Sequence, residues 1–121
     1  SDTLSCNACL LFPSLYFQVD PATGALKTLA AKKPIGFIYT MNAPKEWGET
    51  AYSSMCYQIE GSLAAIYGCT VKSLKVYNTC QVKNYADYDM EYFDAEAKHQ
   101  YRDDHFEEYK QKAFDLGKNI L

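Results

Sequence analysis

No apolar run in these 121 residues approaches the roughly 20 that a helix needs to cross a bilayer. The first residues also lack the basic-then-apolar order of a secretory leader. Positive charge is not in excess and forms no block, since 12 basic residues against 15 acidic ones leave a net charge of −3. Without that charge there is no general attraction to phosphate backbones or anionic lipid, so neither nucleic acid nor a membrane is expected as a partner. A cytoplasmic location is the expectation. Internal repeats are missing too, and the length suits one domain with a core of its own. Histidine is limited to His99 and His105, both set among charges, where a solvated ring is expected rather than a base. Cys6-x-x-Cys9 has no second such pair and no histidine close by to complete four metal ligands, so packed or half-exposed thiols are expected there. The five cysteines are an odd count, which fits reduced thiols better than a disulfide framework. No methionine precedes Met41 and the chain opens on Ser1, as expected of a processed or partial product.

What is present centres on Pro34-Ile35-Gly36-Phe37-Ile38-Tyr39-Thr40-Met41-Asn42-Ala43-Pro44. An unbroken apolar run of this length, closed by a polar turn and a proline, reads as a strand buried on both faces of a parallel sheet. The loops leaving the carboxyl ends of such strands form the ligand crevice of open α/β sheets, so Thr40, Met41 and Asn42 stand where a cofactor would be met.

Upstream, the spacing of Leu4, Ala8, Leu11 and Phe12 predicts a helix over 3–12, capped at Ser1 or Asp2 and ended by Pro13. Asp20-Pro21-Ala22-Thr23-Gly24 reads as a turn within a connection that leads to the first strand. Downstream, 43–49 is expected to be a loop holding the single tryptophan, Trp47. A long helix follows, with Ala51, Tyr52, Met55, Cys56, Ile59, Leu63, Ile66 and Tyr67 on one stripe and Gly68 just past its end. A second strand is predicted at 70–77. Lys72 and Lys75 interrupt its apolar residues, as suits the border of a sheet. Strand, helix and strand make a βαβ unit. The tyrosine- and acid-rich segment 78–104 reads as an ordered excursion, because disordered segments are poor in aromatics. Its acids lack the glycine and ligand spacing of a calcium loop. Asp103 or Asp104 is expected to cap a last helix with Phe106, Tyr109, Ala113 and Leu116 on its stripe and Gly117 near its end.

An inner parallel strand needs a neighbour on each side, and only one other strand is evident here. The strand at 35–40 is therefore expected to meet either a missing N-terminal half or another copy of the chain.

Four stretches, Leu10-Leu11-Phe12-Pro13, Gly36 to Asn42, Tyr77-Asn78-Thr79-Cys80-Gln81-Val82 and Lys112 to Gly117, resemble the C-terminal half of flavodoxin-fold NADPH-dependent FMN reductases and their iron-sulfur flavoprotein relatives. The resemblance implies an α/β fold, a flavodoxin-like parallel sheet in three α/β/α layers. Residues 1–121 would supply its last part, in the order helix, strand, helix, strand, helix. It also implies FMN as cofactor and NAD(P)H as electron donor, with Thr40, Met41 and Asn42 as the flavin contacts this chain retains. The phosphate-binding loop and the cluster cysteines of such proteins lie in the half that is not here, so the isolated chain is expected to hold FMN weakly and to be inactive. No catalytic residue and no metal ligand is implied.

Two readings stay open at several places. Thr40, Met41 and Asn42 are either flavin contacts or an ordinary strand-ending turn. Trp47 either shields a ring or, as favoured here, anchors its loop on the sheet. The tyrosines of 78–104 either mark a subunit interface or pack on their own domain. A function of another class, a non-catalytic interaction module that oligomerises through its open strand, is the alternative to the oxidoreductase.

Overall fold

A computed structural model describes residues 17–28, 30–89 and 92–120. The expected helix over 3–12, with Cys6 and Cys9, lies outside the described residues. Those described divide into two compact units, one formed by the chain up to Ile35 with Gln58–Val71 and the other by Gly36–Tyr57 with the chain from Lys72 onward.

In the first unit, β1 (Phe17–Val19) and β2 (Leu26–Thr28) pair antiparallel, with Gln18 opposite Lys27. The expected turn joins them: the Ala22 N–H donates to Asp20 Oδ1 (2.8 Å), the Gly24 N–H donates to the Asp20 carbonyl (2.8 Å), and Gly24 takes φ +68°. The Ala22 amide, and after it the Thr23 hydroxyl, hold the Asp20 carboxyl below its ordinary range. The flanking strands were not foreseen, because three residues a side are too few to show a period. Thr28 Oγ1 donates to the Ile66 carbonyl (2.8 Å).

The second unit is built on β3 (Ile35–Thr40) and β4 (Val71–Val76), a small parallel pair. Between them in sequence come α1 (Lys45–Ala51) and α2 (Ser53–Tyr67), whose residues from Gln58 onward belong to the first unit. The expected loop at 43–49 is instead mostly helix. Pro44 stands at the N-cap with φ −59°, a value its ring imposes and a helix start accepts, and Glu46 in the first turn suits the positive end of the helix dipole. Tyr52 breaks the run into two helices, yet Tyr52 N–H donates to Gly48 (3.1 Å) and Cys56 N–H to Tyr52 (3.0 Å), so helical bonding crosses the break. α2 ends as expected, with Gly68 at φ +58° and the Cys69 N–H closing back on the Ala64 carbonyl (3.3 Å).

The last helix, α3 (Ala95–Lys118), starts well before the expected cap at Asp103 or Asp104. Asp94 caps it, its Oδ1 accepting from the Ala97 N–H (3.0 Å). The early start escaped notice because the first inward residue is a lysine. Lys98, Tyr101, His105, Tyr109, Ala113 and Leu116 follow one stripe that turns apolar only in its second half.

Both faces of β3 carry a helix. Tyr39 reaches α2 through its hydroxyl, which donates to the Cys56 carbonyl (3.3 Å), and its ring lies 4.5 Å from that of Phe37. On the opposite face a Cβ at Gly36 would come 2.7 Å from the Ile120 side-chain tip and 3.5 Å from Leu116 on α3, so any larger residue there must displace the Ile120 side chain. Ile38, two residues along that same face, is nevertheless 49% exposed. Burial along β3 therefore alternates, where an unbroken buried strand was expected. Among the described residues no strand joins β3 on the edge away from β4. Lys72 on β4 has a second use beyond bordering the sheet: its Nζ donates to the Asn119 carbonyl at the end of α3 (2.6 Å), where a cation meets the negative end of the helix dipole. No helix among the described residues is long and apolar enough to cross a membrane.

Candidate functional site

The hydrogen bonding between the parallel strands continues past their ends. The Met41 N–H donates to the Val76 carbonyl (2.9 Å), the Thr79 N–H to the Met41 carbonyl (2.8 Å) and the Asn78 N–H to the Ala43 carbonyl (2.9 Å). The two loops at the carboxyl ends of β3 and β4 are thus laced into one floor. Asn78 sits at φ +54°, a left-handed conformation that asparagine tolerates better than most residues.

One lysine fastens that floor to α3. Lys98 is only 4% exposed, and its Nζ donates to the Asn42 carbonyl (2.8 Å) and to Asn78 Oδ1 (2.7 Å), while lying 4.9 Å from the centre of the Phe93 ring. No carboxylate pairs with it among the described residues. Loss of water around the ammonium lowers its pKa below the ordinary lysine value, against a smaller opposing pull from Cys80. The site reading of the sequence missed both Lys98 and Asn78. Counting the α3 stripe backwards from Tyr101 would have found the lysine.

Of the three predicted contact residues, Thr40 is exposed at the strand end, Met41 is buried and Asn42 is half-buried. All three border a hollow of about 370 Å³, together with Trp47, Met55 and Phe93. Its volume falls near the lower end of small-molecule sites, and two thioethers and four aromatic rings, those of Tyr39, Trp47, Tyr52 and Phe93, give it adaptable apolar walls. Asn42 Oδ1 is enclosed by the chain itself without a hydrogen-bond partner among the described residues, at a cost of about 1–3 kcal/mol. Trp47 is 57% exposed at this rim, so it does not anchor its segment on the sheet as expected. Carried on α1, its ring stays in solvent. The expected α2 stripe likewise holds at Cys56 and Ile66, which are buried, but leaves Tyr52 and Met55 uncovered beside the hollow.

A larger hollow, about 620 Å³, lies between α3 and the segment after β4, and Thr40 borders both. His99 and His105 were expected in solvent; the early start of α3 brings His99 into the helix, and both rings border the hollow, with the His105 side chain still 42% exposed. His99 Nδ1 is 3.9 Å from Cys80 Sγ, and its ring meets Tyr85 edge-on at 6.4 Å. The His105 ring lies 4.3 Å from that of Tyr101. Tyr85 is itself buried, and its hydroxyl oxygen accepts from the Gln81 N–H (3.1 Å). The tyrosine-rich segment thus packs on its own unit at Tyr85, while Tyr88 and Tyr92 remain exposed.

Tyr101 and Tyr109 place their hydroxyls 3.1 Å apart. Burial, then the contact with Tyr109, drives the Tyr101 pKa far above its ordinary value. A pKa raised by folding means that this stabilisation is complete below the unfolded value near 10 and is lost as pH rises beyond it. Stability followed by urea titration between neutral pH and strongly alkaline pH should therefore fall less steeply for Tyr101→Phe than for the native chain. Equal slopes would remove Tyr101 as the source.

Cys56, Cys69 and Cys80 are free thiols, with Cys56 fully enclosed. No family model matches the chain, and neither does any curated protein or solved structure.

Proposed function

We propose that this chain supplies the carboxyl-terminal part of a flavodoxin-like sheet whose strand-end loops hold FMN, in an oxidoreductase that draws hydride from NAD(P)H. The observation that carries the reading is the floor at the carboxyl ends of two parallel strands, where Thr40, Met41 and Asn42 border a hollow rimmed by an exposed Trp47. The lining suits a flat heterocycle: Met41, Met55 and Trp47 offer apolar surface to a ring, and Thr40 at the exposed strand end offers a hydroxyl to a polar edge. When bound, the flavin supplies the redox chemistry, and the residues here orient it and exclude water from one edge. The edge of β3 that no strand joins among the described residues and the half-exposed Ile38 support the further element of the proposal, a neighbouring strand and helix that complete the sheet and bring a phosphate-binding loop.

The test is the visible flavin absorption of protein expressed from the whole coding sequence, purified and dialysed against FMN. Retained flavin, diminished by Thr40→Val, is the expected result. Colourless protein that takes up no FMN would overturn the proposal.

A second reading, an interaction module without catalysis, is favoured by the aromatic residues left in water: Tyr92 is 98% exposed, and Phe114 and Tyr88 are also open. It predicts a colourless oligomer by light scattering, dissociated by charged substitutions at Ile38 or Tyr92.

A further inference from the structure

We propose that the larger hollow, between α3 and the segment after β4, is a binding site for a small flat organic anion, of which an aromatic carboxylate is the type. The proposal is independent of the flavin reading, since it concerns another hollow, which shares only Thr40 and Gln81 with the smaller one, and a different ligand.

Size comes first. At about 620 Å³ the hollow lies within the range of built small-molecule sites and is too confined for a polymer. One wall is a ladder of rings on α3: Tyr101, His105 and Tyr109 recur every fourth residue, so they stack along one side of the helix. The His105 ring is 4.3 Å from Tyr101 and 6.4 Å from Tyr109, and the two tyrosine hydroxyls meet at 3.1 Å. Tied to each other, those hydroxyls leave the apolar parts of the rings as the lining, and an aromatic lining favours flat partners.

Charge decides the sign of that partner. The chain carries a net −3, yet the hollow is lined by Lys83, Arg102 and Lys110 and by no aspartate or glutamate. Lys110 divides its charge with Glu107 (2.8 Å). Lys83 and Arg102 enter no ion pair among the described residues. They come from the two opposite walls. Arg102 rests 5.8 Å from the centre of the Phe106 ring, which steadies the guanidinium while its donors stay available. A planar fork of this kind matches a carboxylate through two parallel hydrogen bonds, and an ammonium across from it adds charge without geometry. A neutral flat ligand meets the cations only through its ring faces and forgoes the paired hydrogen bonds and the charge attraction.

The test is a calorimetric titration of the folded chain with naphthoate and, separately, with naphthalenemethanol, its uncharged counterpart. Naphthoate is expected to bind about tenfold tighter than the alcohol. In the double variant Lys83→Gln, Arg102→Gln that advantage should vanish, with alcohol binding unchanged. Both substitutions lie on the surface, and unchanged circular dichroism confirms that the variant folds. Added salt should weaken the carboxylate and spare the alcohol. Equal affinities for the two probes, absence of binding by both, or native naphthoate affinity in the double variant would each overturn the proposal.

Discussion

Lys98→Met is expected to lower the stability of the chain by about 2–3 kcal/mol. Methionine keeps the length of the stem, so packing changes little, but the Asn42 carbonyl and Asn78 Oδ1 both lose the donor now 2.8 and 2.7 Å away. Hydrogen bonds from a charged group are worth about 1.5–3 kcal/mol each, and relief from burying an ammonium returns part of that loss. The two effects oppose each other, and two simultaneous orphan acceptors decide the sign. Urea unfolding measures it; an unchanged midpoint would show that the lysine is a passenger. The pH dependence has its own direction. Burial lowers the Lys98 pKa, so the folded chain binds this proton less tightly than the unfolded one. The resulting penalty is present at neutral pH and is relieved as pH rises from the lowered pKa towards 10.5. Lys98→Met should lack that relief and lose stability faster than the native chain on approach to alkaline pH.

Gly48→Leu should cost about 3 kcal/mol, near the upper end for an overfilled core. Glycine is a poor helix former, and in α1 it is kept for space: a Cβ there would stand 2.9 Å from the Tyr77 ring and 3.2 Å from Met41 Sδ. A leucine must push the Tyr77 ring away from the end of β4 and move the thioether that borders the smaller hollow. The contrast is Gly61 in α2, where nothing lies within 4 Å of the added carbon. Gly61→Ala should therefore stabilise by up to about 1 kcal/mol through helix propensity alone. If both substitutions moved stability alike, crowding at Gly48 would be excluded as the cause.

Where hydrophobic period carried the signal, the fold was legible. β3, β4, the end of α2 at Gly68 and the βαβ order follow from apolar runs, interrupting lysines and a glycine, and the structure places them where the residues predict. Polar residues in buried places hid the rest. Lys98 and His105 occupy inward positions of α3, so the helix seemed from its pattern to begin only near Phe106. At Pro44 a helix starts without a side-chain cap, and the segment up to Glu49 therefore read as a loop. For the candidate site, position in the sheet identified Thr40, Met41 and Asn42, since strand ends can be located from a run of residues. The lysine and asparagine that fasten those residues come from 56 and 36 positions further along the chain, a pairing that no local pattern announces.

The account rests on β3 being an inner strand with one edge unfilled. Met41 turns both its N–H and its carbonyl towards the β4 side, so by the alternation of a strand the amides of Ile38 and Thr40 face the other edge, and those of Phe37 and Tyr39 face β4. Residue-resolved hydrogen exchange on the chain, held monomeric as verified by light scattering, reads this directly. Fast exchange at Ile38 and Thr40 beside slow exchange at Phe37 and Tyr39 is the predicted result. Uniformly slow exchange along 35–40 in the monomer would contradict it.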